Sequence, residues 1–378
     1  MTDRRAIIVG GGIGGLAAAL ALQRAGLAVE VFERAPEIRE VGAGIAIWAN
    51  GIHALDALGL RSGIHACSVP YTAGGLRVWN GRTLTSMAVP ELQERLGVLA
   101  IVVHRADLLG ILLDALGADR VHLGAQCTDV QQDGDGVTAT FVDGRTACGD
   151  ILIGADGLQS IVRARLHGHR APVYAGFTAW RGIVTFDASR FPASESWGYG
   201  SIFGFVPISR GKVYWYATKN APEGERLADE KAELESIFRD WHDPIAHLIH
   251  ATDTAAILRN DIYDRPPLDA WGRGRMTLAG DAAHPMTPNL GQGACQALED
   301  ALVIGRAVAE GGELTSSLRR YESRRAPRAN EIVRRSRQVS RLAQFQNPLI
   351  VAVRNALVGR VSAKLQARQL ERVVGFRA

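Results

Sequence analysis

The spacing of apolar residues divides the first half of the chain into alternating strands and helices. Arg5–Val9 is a short continuous apolar run of the kind a buried strand needs, and Gly14–Ala25 follows with helical periodicity. Ala28–Glu33 (Ala-Val-Glu-Val-Phe-Glu) reads as a second strand, so the chain opens on a βαβ unit. A short helix is expected near Asn50–Leu58 and an apolar-periodic helix over His104–Leu116. Val121–Phe141 reads as strands about the turn Asp133-Gly134-Asp135-Gly136, and Asp150–Ala155 as another apolar strand that ends in Asp156-Gly157.

After about residue 170 the pattern changes. From Tyr174 to Thr218 the chain is rich in aromatic and β-branched residues, which predicts a separate antiparallel sheet. Glu223–Trp241 reads as a charged helix, Ala255–Tyr263 as a strand, and Arg275–Ala279 as a strand that rejoins the first sheet. Helices are expected over Leu290–Ala309 and Ser316–Phe345, with a fresh start at Asn347-Pro348, an N-cap Asn followed by Pro at the first helical position. The last helix is expected to carry Val353, Leu357, Val361 and Leu365 at spacing four, beside Arg360, Lys364, Arg368 and Arg372. Two readings of that face stand: packing on its own domain or a twin subunit, and peripheral contact with a membrane.

A chain of 378 residues exceeds what one core normally serves, so two closely joined domains are expected. No window approaches 18 uninterrupted apolar residues, and Met1-Thr2-Asp3-Arg4-Arg5 lacks a signal-peptide pattern. The cysteines at 67, 127, 148 and 295 form no CxxC and no metal-like cluster, which argues against a disulfide framework or bound metal and fits a reducing cytoplasm. The net charge is +4, yet Arg319 to Ala378 alone carries +12, leaving the rest at about −8. No aromatic interleaving or binding motif accompanies the basic segment, so nucleic acid is not an expected partner.

Three glycine-containing motifs carry the chemistry. Gly10-x-Gly12-x-x-Gly15, which encloses Ile13 and Gly14, lies between strand and helix and places the helix N-terminus where phosphates bind. Glu33, 23 residues after Gly10, is positioned to take ribose hydroxyls and disfavours a 2′-phosphate, which argues against NADP in this loop. Asp156-Gly157-Leu158-Gln159-Ser160…Arg163 follows a strand and opens a helix, and Asp281 lies in Leu278-Ala279-Gly280-Asp281-Ala282-Ala283-His284-Pro285, which closes on Gly291-Gln292-Gly293. A carboxylate on a second glycine-rich turn so far along the chain suits a cofactor with a long polyol between its pyrophosphate and its reactive ring. FAD has such a polyol and NAD does not. His284, in that turn, is expected to be structural.

In this order the three motifs resemble those of the class A, single-component FAD-dependent aromatic monooxygenases of the p-hydroxybenzoate hydroxylase type. Val41-Gly42-Ala43-Gly44-Ile45…Trp48-x-Asn50-Gly51, His104-Arg105-Ala106-Asp107-Leu108 and Gly291-Gln292-Gly293-Ala294-Cys295 look most like the branch that holds salicylate, 3-hydroxybenzoate and urate hydroxylases and zeaxanthin epoxidase. The resemblance implies an α/β fold: a Rossmann-like FAD-binding domain of the glutathione-reductase type, an inserted antiparallel substrate sheet, and C-terminal helices. It divides the chain into an FAD-binding domain over 1–72, 97–170 and 273–340, a substrate domain over 73–96 and 171–272, and a C-terminal helix over 341–378.

The resemblance also implies roles. Glu33 and Arg34 would flank the adenosine ribose, with Gln126 and Cys127 over the adenine; Gly44, Ala46 and Arg105 would lie on the flavin side. Asp281 would hold the ribityl hydroxyls, and the backbone of Gly291, Gln292, Gly293 and Ala294 would approach the isoalloxazine, while Asp156 and Arg163 would support cofactor handling. The implied reaction uses non-covalent FAD, NAD(P)H as co-substrate and O2 to hydroxylate or epoxidise a small aromatic or polycyclic molecule through a flavin C4a-hydroperoxide, in a monomer or homodimer, with no catalytic side chain required. Two rivals are a reductase of the geranylgeranyl-reductase type and a flavin-binding protein without oxygenase activity. A flavin-dependent halogenase is disfavoured, because its Trp-x-Trp-x-Ile-Pro motif is absent.

Trp180, Phe203, Phe205, Tyr214, Tyr216 and Pro288 are the candidate substrate-pocket residues. With Trp180 inward, alternation sends Arg181 outward. Urate hydroxylases keep an arginine five residues before the proline matching Pro207; here that place holds Ile202. A neutral or weakly acidic ring is therefore the expected substrate, and a small carboxylate is not.

Overall fold

The structure, a computed structural model, describes residues 4–38, 43–87 and 89–377; Met1–Asp3, the Val41-Gly42 pair of the Val41–Ile45 segment and Ala378 lie outside the described residues. Five parallel strands form the first sheet in the order Met276–Leu278, Ile151–Gly154, Arg5–Val9, Ala28–Phe32, Val121–His122. The strand Met276–Leu278 thus returns from the far end of the chain to close this sheet. Ile7, Ile8, Leu152 and Ile153 are fully buried, as continuous apolar strands covered on both faces require. The first strand stops at Gly10, whose φ of 109° and whose approach to Ala155 exclude a side chain: a Cβ there would lie 2.3 Å from the Ala155 carbonyl oxygen. Helices Ile13–Arg24 and Gly293–Ala309 pack against each other, so the helix that follows the first glycine motif meets the one that follows the third.

A seven-stranded sheet runs in the order Leu258–Asp264, Val173–Thr185, Lys212–Asn220, Ser201–Ile208, Ser194–Trp197, Gly75–Val78, Thr83–Ser86. All its pairs are antiparallel except Ser194–Trp197 with Gly75–Val78. Two smaller three-stranded sheets complete the fold: Gly44–Trp48, Ala100–His104 and Val69–Pro70, and the meander of Cys127–Gln132, Val137–Phe141 and Thr146–Gly149.

Some element boundaries differ from the sequence expectation for local reasons. The charged helix is confined to Glu230–Phe238: Gly224 takes a positive φ upstream, and the Asp229 carboxylate caps the helix by accepting from Lys231 and Ala232 N–H. His104 lies outside its helix and caps it, Nδ1 accepting from Ala106 N–H at 3.3 Å. The expected single last helix is two, Pro348–Arg360 and Ala363–Val374, because Ser362 caps a new start by accepting from Leu365 N–H. The four-residue stripe Val353-Leu357-Val361-Leu365 therefore crosses a helix break.

The long helix Leu314–Ala343 carries Arg325, fully buried, onto helix Gly293–Ala309. Arg325 Nε donates to Asp300 Oδ1 at 2.8 Å, Nη2 donates to Gln296 Oε1 at 2.8 Å, and Nη1 pairs with Glu299. Glu299 also accepts from Arg328 Nε at 2.7 Å and from Asn50 Nδ2 at 2.6 Å. Asp300 Oδ2 accepts from Gly280 N–H at 2.9 Å and shares a 2.6 Å hydrogen bond with His284 Nε2. Burial alone raises the Asp300 carboxyl, but the His284 and Arg325 charges outweigh it and hold this group below its ordinary range. Removing one member strands buried charge. Arg325→Met is expected to cost about 3–5 kcal/mol, read as a lowered urea midpoint, whereas adding Glu299→Gln and Asp300→Asn in the same chain should recover part of the loss. An unchanged midpoint in the single variant would mean that water reaches and screens the cluster.

Candidate active site

The first glycine motif presents an uncapped helix end. Helix Ile13–Arg24 starts at Gly12 with no side-chain cap, and a Cβ at Gly12 would meet nothing within 4 Å, so the first amides of the helix face open space. Glu33 stands beside them: Oε2 accepts from Gly11 N–H at 2.6 Å and Oε1 from Ala35 N–H at 2.9 Å. The remaining lone pairs of this carboxylate point away from its own backbone ties and are free to accept from a ligand. Arg34 is exposed next to it, Gln126 is exposed at the head of its strand, and Cys127 is buried, its thiol pushed up to about 11 by burial.

The second motif braces the other two. Asp156 accepts from Ser160 Oγ at 2.5 Å and from Ile161 N–H at 2.7 Å, which fixes the start of helix Ile161–His167. That helix presents Arg163, buried, to the third motif, where Nη1 donates to the carbonyls of Ala282 and Ala283 at 3.0 and 2.9 Å. Desolvation, helped by the Arg265 and Arg170 charges, lowers Arg163 to about 10. Asp156 and Arg163 thus act on the architecture of the loops. His284, through Asp300, is likewise a strut of the third motif.

A cavity of about 790 Å³ opens between the third motif and the seven-stranded sheet. Gly44, Ala46, Arg105, Asp281, Pro288, Gly291, Gln292, Gly293 and Ala294 line one side of it, so residues some 250 positions apart in sequence meet there. Asp281 is exposed to the cavity but deep in the protein; burial raises its pKa, against the lowering effect of the His284 and Arg105 charges. Gly291 turns with φ 58°, and helix Gly293–Ala309 begins beyond it without a side-chain cap. The Gln292 side chain is anchored by Asn50 Nδ2 at 2.9 Å, yet its own Nε2 and the Nε1 of neighbouring Trp48 are buried donors with no partner in the protein.

The opposite wall is the sheet. Register puts Arg181, Tyr216, Gly204 and Glu195 in one row across four strands. Gly204 is obligatory in that row, because the Tyr216 ring crosses over it; a Cβ there would lie 2.2 Å from the ring. Tyr214 lies one pleat away, against Gly44. The cavity therefore takes Tyr214, Tyr216 and Pro288 from the sequence candidates, with Phe205 at its edge. Trp180 and Phe203 do not join them. Both are fully buried on the far face, in a core with Trp215 and Phe238 that the helices Glu230–Phe238 and Ile245–Ala251 cover. Because Trp180 turns away, Arg181 turns in, the reverse of the expectation; Nη1 donates to Asn260 Oδ1 at 3.2 Å. Ile202, also in the cavity, leaves its place uncharged, but the cavity does not lack a cation.

Sequence reasoning missed five contributors. Tyr71 comes from a segment without a motif, Trp48 stands in the Trp48-x-Asn50-Gly51 segment but was given no role, and Gln366 and Leu370 come from helix Ala363–Val374 at one end of the cavity. Glu195 carried a faint signal, a charged residue in a strand between two serines.

These features fit FAD. Two uncapped helix N-termini suit a pyrophosphate and an electron-rich ring edge, Glu33 suits ribose hydroxyls, Asp281 suits a polyol, and the orphan donors of Gln292 and Trp48 face the flavin side. Comparison with known proteins agrees. Residues 3–336 match the family model described as "FAD binding domain". The chain is 42% identical to aurachin C monooxygenase/isomerase of Stigmatella aurantiaca over 96% of this chain and 95% of that one. It is 36% identical to the FAD-dependent urate hydroxylase of Klebsiella pneumoniae over 88% and 89%. The crystal structure of Klebsiella pneumoniae HpxO complexed with FAD and uric acid superposes with a TM-score of 0.93, at 31% identity, over 98% of this chain and 96% of that chain.

Asp281→Ala should weaken FAD binding by about 1.5–3 kcal/mol, on the order of 10–150-fold in Kd, while leaving the apoprotein melting temperature nearly unchanged. Glu33→Ala should weaken it comparably, and Glu33→Arg more, since a cation would sit where hydroxyls need acceptors. Flavin titration of the apoprotein by fluorescence quenching reads all three. Wild-type affinity in the Asp281 variant would remove that residue from the cofactor site.

Proposed function

Because the chain belongs to the FAD-binding-domain family and is an FAD-dependent monooxygenase, we propose that it uses NAD(P)H and O2 to hydroxylate or epoxidise an aromatic or polycyclic small molecule held between the third glycine motif and the Tyr214–Tyr216 face of the sheet. The observation that carries this reading is the cavity itself, in which the flavin-side loop and an aromatic, partly polar sheet face enclose one continuous space. FAD, when bound, supplies the redox chemistry and the activated oxygen. The protein supplies position and environment. Glu33 would hold the adenosine end, Asp281 would hold the ribityl chain, and the Gly291–Ala294 backbone would receive the flavin ring. The phenols of Tyr214 and Tyr216 stay protonated, their pKa values raised by burial, and present their ring faces to a substrate; the Tyr216 O–H donates to Glu195. Leu92 and, from helix Ala363–Val374, Ala367 and Leu370 give one end of the cavity an apolar lining, which disfavours water beside a bound ring. Relatives named for aurachin C and urate support an aromatic or polycyclic substrate class.

The C-terminal helices add a location to this reading. Leu349, Val353 and Leu357 are 79%, 59% and 59% exposed, and exposed Arg360, Lys364 and Arg368 follow them. No helix among the described residues is long and apolar enough to cross a membrane. An exposed apolar face on Pro348–Arg360, followed by exposed basic residues at its end and on Ala363–Val374, suits the surface of an anionic bilayer, which would bring a lipophilic substrate near the second of these helices, the one that lines the cavity. Cosedimentation with vesicles of phosphatidylcholine and phosphatidylglycerol, greater than with phosphatidylcholine alone and lost in Val353→Asp/Leu357→Asp, is the expected result; equal recovery in the supernatant with both lipids would end the idea.

The oxygenase reading is tested by supplying NADH or NADPH to the yellow holoprotein with a panel of phenols, quinolones and polyenes. At least one should stimulate oxygen uptake and yield a product heavier by one oxygen atom. Alkene reduction without oxygen uptake would assign the protein to the reductase alternative, and no substrate-stimulated oxidation at all to the binding-protein alternative.

A further inference from the structure

The cavity contains a carboxylate that the flavin does not need. Glu195 lies on strand Ser194–Trp197, lines the cavity, and belongs to the sheet face opposite Asp281. Its Oε1 accepts from Trp197 Nε1 at 2.6 Å and its Oε2 accepts from the Tyr216 hydroxyl. No Lys, Arg or His pairs with it among the described residues. Arg354 stacks on the Trp197 ring, 5.0 Å from its centroid, and spends its donors on the carbonyls of Ala343 and Gly198.

This arrangement is selective by construction. A buried carboxylate without a cation is costly unless hydrogen bonds satisfy it. Two donors from the protein engage one lone pair on each oxygen, and a carboxylate accepts about four, so a residue that lines the cavity keeps acceptor capacity for a ligand. The Gly204 gap exists to let Tyr216 reach it. Arg181 stands at the other end of the same row, three strand spacings or about 14 Å of backbone away, so the cavity has an anionic pole and a cationic one.

We propose that Glu195 is the specificity-determining residue of the substrate site: it accepts a hydrogen bond from a ring N–H or O–H of the substrate and turns away rings that carry a carboxylate at that end. The inference rests on the substrate reading of the cavity given above and narrows it to rings with a hydrogen-bond donor. It replaces the argument from Ile202, since a carboxylate is turned away at the Glu195 end by a negative group and not by a missing arginine.

The test uses oxidised holoprotein without NAD(P)H and three probes built on one ring: 2-naphthol, 2-methoxynaphthalene and 2-naphthoate. Affinity is read from the perturbation of flavin absorbance. Wild type should bind 2-naphthol about tenfold more tightly than the methyl ether, with 2-naphthoate weakest. In Glu195→Gln the naphthol-to-ether ratio should fall below about threefold and 2-naphthoate should gain about tenfold. Glu195→Asp should keep the rejection of 2-naphthoate while losing part of the preference for 2-naphthol, which guards against a Gln variant that misfolds; the flavin content of each variant reports folding. Burial raises the Glu195 carboxyl above its ordinary value. The groups around it, Tyr216, Tyr71 and Arg354 on the Trp197 ring, titrate far higher, with Tyr71 pushed up to about 12 and Arg354 lowered only to about 10. Affinity for 2-naphthol should therefore rise with pH as this one carboxyl ionises, and Glu195→Gln should remove that rise. Equal binding of 2-naphthol and its methyl ether by wild type, or three unchanged affinities in Glu195→Gln, would overturn the proposal. Since none of these measurements requires oxygen transfer, discrimination without turnover removes only the oxygenase reading, and turnover without discrimination removes only the role of Glu195.

Discussion

The site depends on a buried charge cluster that touches no ligand. Arg325 reaches from the long helix Leu314–Ala343 into helix Gly293–Ala309 and binds Glu299 and Asp300 at the same time. Through Asp300 it fixes Gly280 and His284, hence the turn that carries Asp281; through Glu299 and Gln296 it fixes Gln292 and Asn50, hence the backbone at the flavin side. The loop Gly280–Gly293 packs Ala282, Ala283, Met286 and Leu290 against neighbouring cores, but packing does not orient its glycine turns. Hydrogen bonds to charged groups, worth roughly twice neutral ones, supply what packing does not. Buried ion pairs often gain little net stability once desolvation is counted, whereas the geometry of this one ties the loop to a single arrangement.

The parts of the site legible in the sequence are those in which backbone geometry dictates residue type. Gly10 must be glycine because its φ is positive and Ala155 is close, and Glu33 must follow at the end of the next strand because parallel pairing brings that end beside the loop. Asp281 is legible for a similar reason, as an acidic residue on a turn after an apolar strand. The five-stranded sheet was readable from its continuous apolar runs, and the expected return of Arg275–Ala279 to it is met by Met276–Leu278. Local hydrogen bonds decided what periodicity did not: Asp229 and Ser362 each start a helix where the apolar pattern shows no break.

The face of the seven-stranded sheet was not legible, and the reason is general. Alternation sorts residues into two sets but does not say which set faces the ligand. In strand Val173–Thr185 the large apolar residue, Trp180, suggested the substrate wall. Two helices later in the chain cover the other face and need a core of their own, and Trp180, Phe203 and Trp215 supply it. What remains for the cavity is the set with polar reach: Arg181, Tyr214, Tyr216 and Glu195. The physical rule is that a sheet packed by helices on one side gives its greasiest residues to those helices, so the more polar set of an aromatic-rich strand marks the ligand side.

That inversion changes how substrate selection works. A wall of Trp and Phe would choose by shape and area alone, which separates similar rings weakly, because one methylene more or less is worth only about 1–3 kcal/mol. A wall with phenols, one carboxylate and one guanidinium chooses by hydrogen-bond sense, and a partner of the wrong sense leaves buried polar groups unpaired on both molecules. The two charged ends of the row are kept from neutralising each other by the strands between them, and each is tied instead to neutral partners: Arg181 to Asn260, Glu195 to Trp197 and Tyr216. A direct Arg–Glu pair would satisfy both groups and leave nothing for a ligand. Separation across four strands, enforced by register and by the absence of a side chain at Gly204, keeps both ends in want of a partner, and a ring lying along the row is what can meet them together.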